Sequence, residues 1–189
     1  MDNERLQRVR ECMAEADLDA LICRLPENVL MLSGYWPMLG WSFLLFPQDG
    51  RLLLVTPHCC EREARAELWE ADYETFLFGV LGAGDPHAAV AAALKKAAAR
   101  RGWKRVGFEG NFESVAPPWN AAEPAIPAAA TGELYKEVFG SGRLVDATGL
   151  LLALRARKTP MEQTRLRTVN EISAFGLRAF QERLAAGVS

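Results

Sequence analysis

The sequence predicts an α/β fold: a mixed β-sheet flanked by helices, followed by one long C-terminal helix. Three observations support this fold class. Short apolar runs alternate with helical patterns along residues 1–153. Two of these runs, WSFLLF and RLLLVT, flank a Pro47-Gln48-Asp49-Gly50 turn, as the strands of an antiparallel hairpin do. A complete helix-start signal at Thr159 then opens a long amphipathic segment.

The first half of the chain begins with a helical pattern. Leu6, Val9 and Met13 are separated by three or four residues, which places them on one helical face. The segment PENVLMLSGYW, at 26–36, mixes turn residues with a short apolar patch, and we assign no element to it. Besides the hairpin, the patterns in this half predict a helix over 3–16, a buried strand in LDALIC, a helix over about 58–69 and a strand in DYETFLF.

The second half contains a well-delimited helix and an irregular stretch. Asp85 and Pro86 form a favourable N-cap and N1 pair and Gly102 a favourable C′ residue, so a helix is predicted over 86–101. Residues 110–132 are rich in Ala, Pro and Gly and lack periodicity, which predicts a loop with at most a short helical turn. The other patterns predict a strand in KRVGFE, a helix in GELYKEVF, a strand in RLVD and a short helix in GLLLALR.

The last helix is the most strongly marked element. Thr159 and Glu162 match the S/T-x-x-E capping box, in which each side chain accepts a hydrogen bond from the other residue's backbone, and Pro160 occupies N1. Gly187 is a suitable C′ residue, so the helix has about 26 residues and is ~39 Å long. Its apolar stripe consists of Leu166, Val169, Ile172, Leu177, Phe180 and Leu184.

An apolar stripe of this length requires a cover. The candidates are the preceding domain, a second copy of the chain, and polypeptide that follows Ser189. The third explains the sequence best, because the helix then opens a further domain. We therefore divide the chain into a domain at 1–153 and, at 154–189, a linker with the first helix of an incomplete domain.

Composition excludes several classes of partner. The net charge is −2 and the isoelectric point about 5.8, so nothing attracts the chain to nucleic acid or to an anionic membrane. No apolar run approaches the roughly 20 residues of a transmembrane helix, and the charged N-terminus lacks the apolar core of a signal peptide. We expect a cytoplasmic protein with four reduced cysteines in no disulfide framework.

The candidate metal ligands in the sequence are few. His58, Cys59 and Cys60 are consecutive, and three consecutive residues rarely converge on one tetrahedral ion. We interpret His58 and His87, the only histidines, as surface or helix-cap residues. The sequence contains no HExxH, GxSxG, P-loop or GxGxxG motif, so we expect no catalysis from this chain alone.

The other charged clusters have simpler interpretations than chemistry. Glu133 and Glu137 lie four residues apart on one predicted helix, where a solvated surface favours neither acid nor base catalysis. The cations Arg155, Arg157 and Lys158 precede the terminal helix, and we expect them to pair with acids across the domain junction.

Three segments together resemble one family of proteins. DALICRLPENVLMLSGY resembles the DALLV…PENIRYLTGF segment near the start of creatinase, prolidase and aminopeptidase P relatives. RVGFE resembles their RIGFE strand, and LLLALRARKTPMEQTRLR resembles the LRKIKSPEEIELIR junction that opens their catalytic domain. The segments occur in family order at about family spacing, so the resemblance covers essentially the whole chain.

The resemblance implies a specific architecture and activity. It implies an N-terminal mixed-sheet domain of the creatinase/prolidase type, which is ribonuclease H-like, followed by a catalytic pita-bread domain. That second domain binds two divalent ions, often Mn, Co or Zn, through two Asp, one His and two Glu. This chain would then hold the N-terminal domain and only the first catalytic helix, with no catalytic residue and no metal ligand of its own. The parent would be a cytoplasmic dipeptidase or aminopeptidase that cleaves before proline.

The family-motif positions are Asn28, Ser33, Gly34 and Tyr35. Asn28 is expected to hold a turn through its amide, and Gly34 to supply a positive φ. The resemblance implies that the following loop lies near an active-site mouth, at times that of a partner subunit. Tyr35, Trp36 and Trp41 would then contact a substrate or a second subunit; the alternative is that the tryptophans belong to the core. Relatives usually have Thr where Ser33 stands.

Two other functions remain open at this point. A creatinase-like enzyme that splits a non-peptide C–N bond would carry the same N-terminal domain. A complete, non-enzymatic binding or dimerisation module would need no catalytic domain. The resemblance favours a homodimer acting on a peptide or small-molecule substrate.

Overall fold

The computed structural model describes residues 2–37, 39–68, 70–110 and 129–184. Its strands are β1 (Ala20–Cys23), β2 (Phe43–Pro47), β3 (Leu52–Pro57), β4 (Ala71–Phe76), β5 (Val106–Phe108) and β6 (Leu144–Asp146). Its α-helices are α1 (Asn3–Glu15), α2 (Pro26–Ser33), α3 (Glu61–Glu67), α4 (Pro86–Ala99), α5 (Ala129–Phe139), α6 (Thr148–Ala156) and α7 (Pro160–Arg183). No helix in these parts of the chain is both long and apolar enough to cross a membrane.

The strands form one mixed sheet, as predicted, in the order β4-β3-β2-β1-β5-β6. The pairs β1–β2 and β2–β3 are antiparallel, whereas β3–β4, β1–β5 and β5–β6 are parallel. The predicted hairpin is therefore confirmed as β2–β3, and its turn uses Gly50 at φ 96°. All four residues of the central strand β1 are buried, which explains its uninterrupted apolar sequence.

Helices cover both faces of the sheet. Side chains from α1, α2, α3 and α6 pack on one face around Leu21, Leu44 and Leu54. Side chains from α4 and α5 pack on the other face around Ile22 and Leu45. Alternate residues of β1 and β2 thus enter opposite cores, as the twofold repeat of a strand requires.

At residues 26–36 the structure differs from the sequence-based prediction. Residues Pro26–Ser33 form α2, where we had assigned no element. The signals were present, because Pro26 occupies N1 and Gly34 caps the C-terminus in the left-handed region at φ 80°. A helix of eight residues is too short to be stable by itself, and tertiary contacts supply the difference.

The irregular stretch at 110–132 needs a smaller correction. Helix α5 begins at Ala129, three residues before the predicted GELYKEVF helix, so part of the stretch is helical. The rest of the predicted loop, at 111–128, lies outside the described residues. The helix predicted over 58–69 is a 3₁₀ turn at His58–Cys60 followed by α3, which ends at Glu67.

The terminal helix confirms its start signal. Both halves of the capping box between Thr159 and Glu162 are formed, with Pro160 at N1. Helix α7 has 24 residues, close to the predicted length, and its C-cap is Leu184. Gly187, the predicted C′ residue, lies outside the described residues.

Candidate functional site

Helix α2, which lies within the segment DALICRLPENVLMLSGY, is capped by a residue far away in the sequence. Its N-cap residue Leu25 makes no side-chain cap. The carboxylate of Glu109, directly after β5, accepts hydrogen bonds from the backbone N–H of Arg24 at 2.8 Å and of Leu25 at 3.1 Å. It also accepts from Nδ2 of Asn28 at 2.7 Å. Because a helix N-terminus carries unsatisfied donors and a partial positive charge, a carboxylate stabilises it.

This carboxylate is fully enclosed. Glu109 is 2% exposed, and its burial raises the pKa of the carboxyl to about 7. The hydrogen bonds from Asn28, Arg24 and Leu25 oppose the rise, whereas the nearby charge of Glu27 adds to it. Desolvation therefore outweighs the hydrogen bonds at this position. The expectation that Asn28 holds a turn through its amide is refined: the amide binds Glu109.

A buried arginine lies beside the carboxylate. Arg24 follows β1, and its Nε donates to the carbonyl of Gly40 at 2.6 Å. Its Nη1 donates to Oγ1 of Thr131 at 2.6 Å, and its guanidinium lies 4.9 Å from the ring centre of Trp41 and 5.1 Å from that of Phe43. Arg24 thus ties the connection before β2 and the first turn of α5 to the end of β1.

The segment LLLALRARKTPMEQTRLR, at 150–167, also contacts α2. Nη1 of Arg155, in α6, lies 2.7 Å from Oε1 of Glu27 in α2, and both side chains are mostly buried. The expected pairing with an acid is therefore confirmed for Arg155. Among the described residues Arg157 and Lys158 form no ion pair, and the ammonium of Lys158 binds the carbonyl of Arg155 instead. All three segments that carry the resemblance meet at α2: Glu109 holds its N-terminus and Arg155 holds its side.

The remaining motif positions complete the C-terminal end of α2. Oγ of Ser33 donates to the carbonyl of Val29 at 2.6 Å and accepts from the N–H of Tyr35 at 3.2 Å. Gly34 has the positive φ that was expected, and its N–H donates to the carbonyl of Leu30 at 2.8 Å. Tyr35 is buried in the core, next to the thiol of Cys60. These residues set where the chain leaves α2.

The two tryptophans after α2 are partly exposed. The N–H of Trp36 donates to Oε2 of Glu67 at 3.3 Å. Trp41 belongs to an aromatic group, in which its ring centre lies 5.8 Å from that of Phe78 and 4.8 Å from that of His87. Trp41 thus combines packing with an accessible surface, whereas the contact of Trp36 is made by its backbone N–H. A contact of Tyr35, Trp36 or Trp41 with substrate or a second subunit stays a prediction.

Helix α7 presents a second candidate surface. No residue of α7 is buried, and seven large apolar side chains are between 45% and 69% exposed. They are Leu166, Val169, Ile172, Phe175, Leu177, Phe180 and Leu184. An exposed apolar surface of this extent marks an interaction site. Of the three candidate covers, the preceding domain is thereby excluded within the described residues.

The apolar stripe of α7 continues into a groove against α2. The groove has a volume of about 320 Å³, and its apolar lining includes Leu30 and Met31 of α2 and Leu166 of α7. It is also lined by charged residues of both signs: Arg155, Lys158, Arg165, Asp2, Glu27 and Glu162. A polypeptide that covers α7 would therefore meet α2 as well.

The other candidates from the sequence are ordinary surface groups. Glu133 pairs with Lys136 at 2.7 Å and Glu137 with Lys95 at 2.6 Å, as a charged helix surface predicts. His58 accepts a hydrogen bond from the N–H of Phe78 at 3.3 Å. In the described residues no group of three or more His, Cys, Asp or Glu side chains is placed to hold a metal ion.

The cysteines divide by exposure. Cys59 is exposed, whereas Cys23 and Cys60 are buried; all three, with Cys12, are free thiols. Burial raises the pKa of Cys60 to about 11, which keeps it protonated and unreactive at neutral pH.

Sequence reasoning missed the residues that organise this site. Neither Arg24 nor Glu109 stands out in the periodicity or the motifs of the sequence. A usable signal was present, since a charged residue directly after a short buried strand sits where the chain turns into the next element. Which charge meets which backbone group depends on strand order, and periodicity does not encode strand order.

The family model described as the creatinase/prolidase N-terminal domain matches residues 5–157. No curated protein matches the chain at a significant level.

Solved structures share the fold at low identity. The prolidase from Pyrococcus horikoshii OT3 is 20% identical with a TM-score of 0.66, over 98% of this chain and 44% of that one. An Xaa-Pro dipeptidase from Bacillus anthracis is 17% identical with a TM-score of 0.68, again over 98% and 44%. The N-terminal domain of the cytoplasmic peptidase PepQ from Mycobacterium tuberculosis H37Rv is 22% identical with a TM-score of 0.55, over 81% and 99%. The chain thus spans less than half the length of the first two.

Proposed function

The chain belongs to the creatinase/prolidase N-terminal domain family, and on that basis we propose that it is the non-catalytic N-terminal part of a metal-dependent, proline-specific peptidase. The parent would be a dipeptidase or aminopeptidase P in the cytoplasm. In this proposal residues 1–153 form the N-terminal domain, and residues 154–189 form a linker and the first helix of the catalytic domain. Similarity to prolidases and an Xaa-Pro dipeptidase over nearly the whole chain supports it.

The observation that carries this proposal is the uncovered stripe of α7. Six large apolar side chains of this 24-residue helix, with Leu184 at its C-cap, form an exposed apolar surface of the kind that marks an interaction site. A cover by the polypeptide that follows α7 removes this surface from solvent. It would also fill the groove between α2 and α7, because Leu166 belongs to both surfaces.

The role we propose for the domain is to shape substrate access and to support dimerisation. The anchoring of α2 by Glu109 and Arg155 holds the helix from which the chain leads to Trp36 and Trp41. Trp36 and Trp41 offer partly exposed aromatic rings there, which suit contact with a proline-containing peptide or with a second subunit.

The metal ions of such a peptidase would be held outside this chain. Two-metal hydrolysis requires several carboxylates and usually a histidine around ions about 3.5–4 Å apart. The two histidines here contact Phe78 and Trp41, and exposed carboxylates such as Glu133 and Glu137 pair with lysines on the surface. These residues do not fit a two-metal centre, and we propose that the ligands lie in the polypeptide after α7.

The test compares the 189-residue chain with the longest product of its reading frame. Both are assayed with Mn²⁺ on Xaa-Pro dipeptides, on longer peptides with proline second, and on creatine. We expect proline-specific turnover from the longer product only, and slower hydrogen exchange along α7 in that product. Turnover by the 189-residue chain, a reading frame that stops at Ser189, or hydrolysis of creatine alone would each overturn the proposal.

A further inference from the structure

Arg5 is a charged side chain that the proposed function does not use, although it is only 1% exposed. It lies on α1, one turn before Val9, and belongs to the buried residues of that helix. Its Nη1 donates to the carbonyl of Leu154 at 2.5 Å, and its Nη2 donates to the carbonyl of Arg157 at 2.9 Å. Its Nε donates to Oε1 of Glu162 at 2.9 Å, and Nη2 also binds Oε2.

These partners belong to three consecutive segments. Leu154 is in the last turn of α6, Arg157 is in the three-residue connection, and Glu162 is in the first turn of α7. The carbonyls in the last turn of a helix have no partner within that helix, and Arg5 binds one of them. One planar guanidinium therefore joins the end of α6 to the start of α7, which a single ammonium group does not reproduce.

The cap residues of α1 and α7 are joined as well. Oδ1 of Asp2 accepts from the N–H of Arg5 at 3.0 Å and so caps α1. Oδ2 of Asp2 accepts from Oγ1 of Thr159, the N-cap residue of α7, at 2.5 Å. The capping box of α7 thus rests directly on the first turn of α1.

The rest of α7 provides no comparable restraint, because none of its residues is buried. Its 24 residues extend ~36 Å, so a change of about 10° at its base moves its far end by about 6 Å. The direction of the helix therefore depends on the contacts of its first turn.

We propose that Arg5 is the positioning residue that fixes the angle between α6 and α7, and with it the orientation of the apolar stripe that α7 presents. The inference deepens the proposed function, since that stripe is the surface we assign to the following domain. It concerns the 189-residue chain by itself, so it stands or fails independently of any peptidase activity.

The experiment uses double electron–electron resonance to measure the distance between two spin labels. This distance reports the direction of α7 relative to the sheet. Cys12 and Cys59 are replaced by Ser, while the buried Cys23 and Cys60 are kept. Labels are attached at Lys104→Cys, just before β5, and at Arg178→Cys, in the last third of α7, where both positions are exposed. Tryptophan fluorescence and circular dichroism confirm that each variant is folded.

The side chain of Arg5→Met fills a similar volume but has no hydrogen-bond donors. Arg5→Lys keeps the positive charge but lacks the planar guanidinium group with its several N–H donors. In the wild-type background we expect a single narrow maximum in the distribution of distances between the labels. Both variants should show a broad distribution instead, while their fluorescence and circular dichroism spectra stay unchanged. Arg8→Met is the matched control. Arg8 lies one turn further along α1 and donates to the same Arg157 carbonyl at 3.1 Å, but it makes no bond to α7 among the described residues. Its variant should keep the narrow maximum.

If Arg5→Met fails to fold, Glu162→Ala serves as the second test. It removes the only α7 partner of Arg5 among the described residues and should also broaden the distribution. A narrow, unshifted maximum in a folded Arg5→Met or Glu162→Ala chain would overturn the proposal. Equal broadening in Arg8→Met would do so too, because it would assign the restraint to α1 as a whole.

Discussion

Replacing Glu109 by Gln should remove a pH dependence of stability that this carboxyl creates. Burial raises its pKa from the usual 4.5 to about 7, so the folded chain holds the proton more tightly than the unfolded chain. A group of this kind stabilises the fold fully below its unfolded pKa. The stabilisation is lost as the pH rises through the folded pKa. The amide side chain of the Glu109→Gln variant cannot ionise, so the variant has no such dependence.

The magnitude follows from the two pKa values. A rise from 4.5 to about 7 corresponds to ~3 kcal/mol, at about 1.4 kcal/mol for each tenfold change in proton affinity. About 2.5 kcal/mol of this is lost between roughly pH 5 and pH 8.

Urea unfolding followed by tryptophan fluorescence measures the effect at both pH values. The free energy of unfolding of the wild type, relative to Glu109→Gln, should fall by about 2.5 kcal/mol from roughly pH 5 to pH 8. Glu137→Gln, which removes an exposed carboxylate on α5, should follow the wild type in parallel. Parallel curves for Glu109→Gln and the wild type would refute the reasoning, because they would show that the carboxylate is solvated.

Two further predictions concern packing and the cover of α7. At Gly107 an added Cβ would lie 2.6 Å from Cδ2 of the fully buried Leu21, so Gly107→Ala should lower the free energy of unfolding by about 1–3 kcal/mol. The control is Gly149→Ala in α6, where an added Cβ would have no neighbour within 4 Å. It should leave the free energy of unfolding unchanged or raise it by up to about 1 kcal/mol. Equal losses of stability in Gly107→Ala and Gly149→Ala would contradict this. Phe175→Ser should change stability by less than about 0.5 kcal/mol, because the ring is 69% exposed. Leu154→Ala, which empties a buried site, should cost about 2–5 kcal/mol. A large loss in Phe175→Ser would show that the stripe is covered in the isolated chain. Urea unfolding measures the free energy of unfolding of all four variants.

Much of the fold follows from signals that span only a few residues. The β2–β3 hairpin, the Asp85 cap of α4 and the capping box of α7 appear in the structure as predicted. Each depends on interactions between neighbours in the sequence, such as the bond from the N–H of His87 to Asp85 at 3.0 Å. Local hydrogen bonds of this kind form wherever the residues occur, so the sequence reveals them directly.

The errors concern elements whose stability comes from elsewhere in the chain. Helix α2 has suitable ends at Pro26 and Gly34, but it is too short to persist without the carboxylate of Glu109. Helix α5 begins earlier than predicted, and its first turn contains Thr131, which binds Arg24. In both cases the deciding partner lies more than eighty residues away along the chain.

The sequence by itself determined the mixed α/β architecture, the start and length of α7, and the apolar stripe that needs a cover. These properties are periodicities and caps, which every short segment carries whatever its surroundings. Only the tertiary structure decided that Glu109 caps α2 and that Arg5 joins α6 to α7. Strand order and helix packing bring those distant charges to buried backbone groups, and a buried charge must find its partners wherever the fold supplies them.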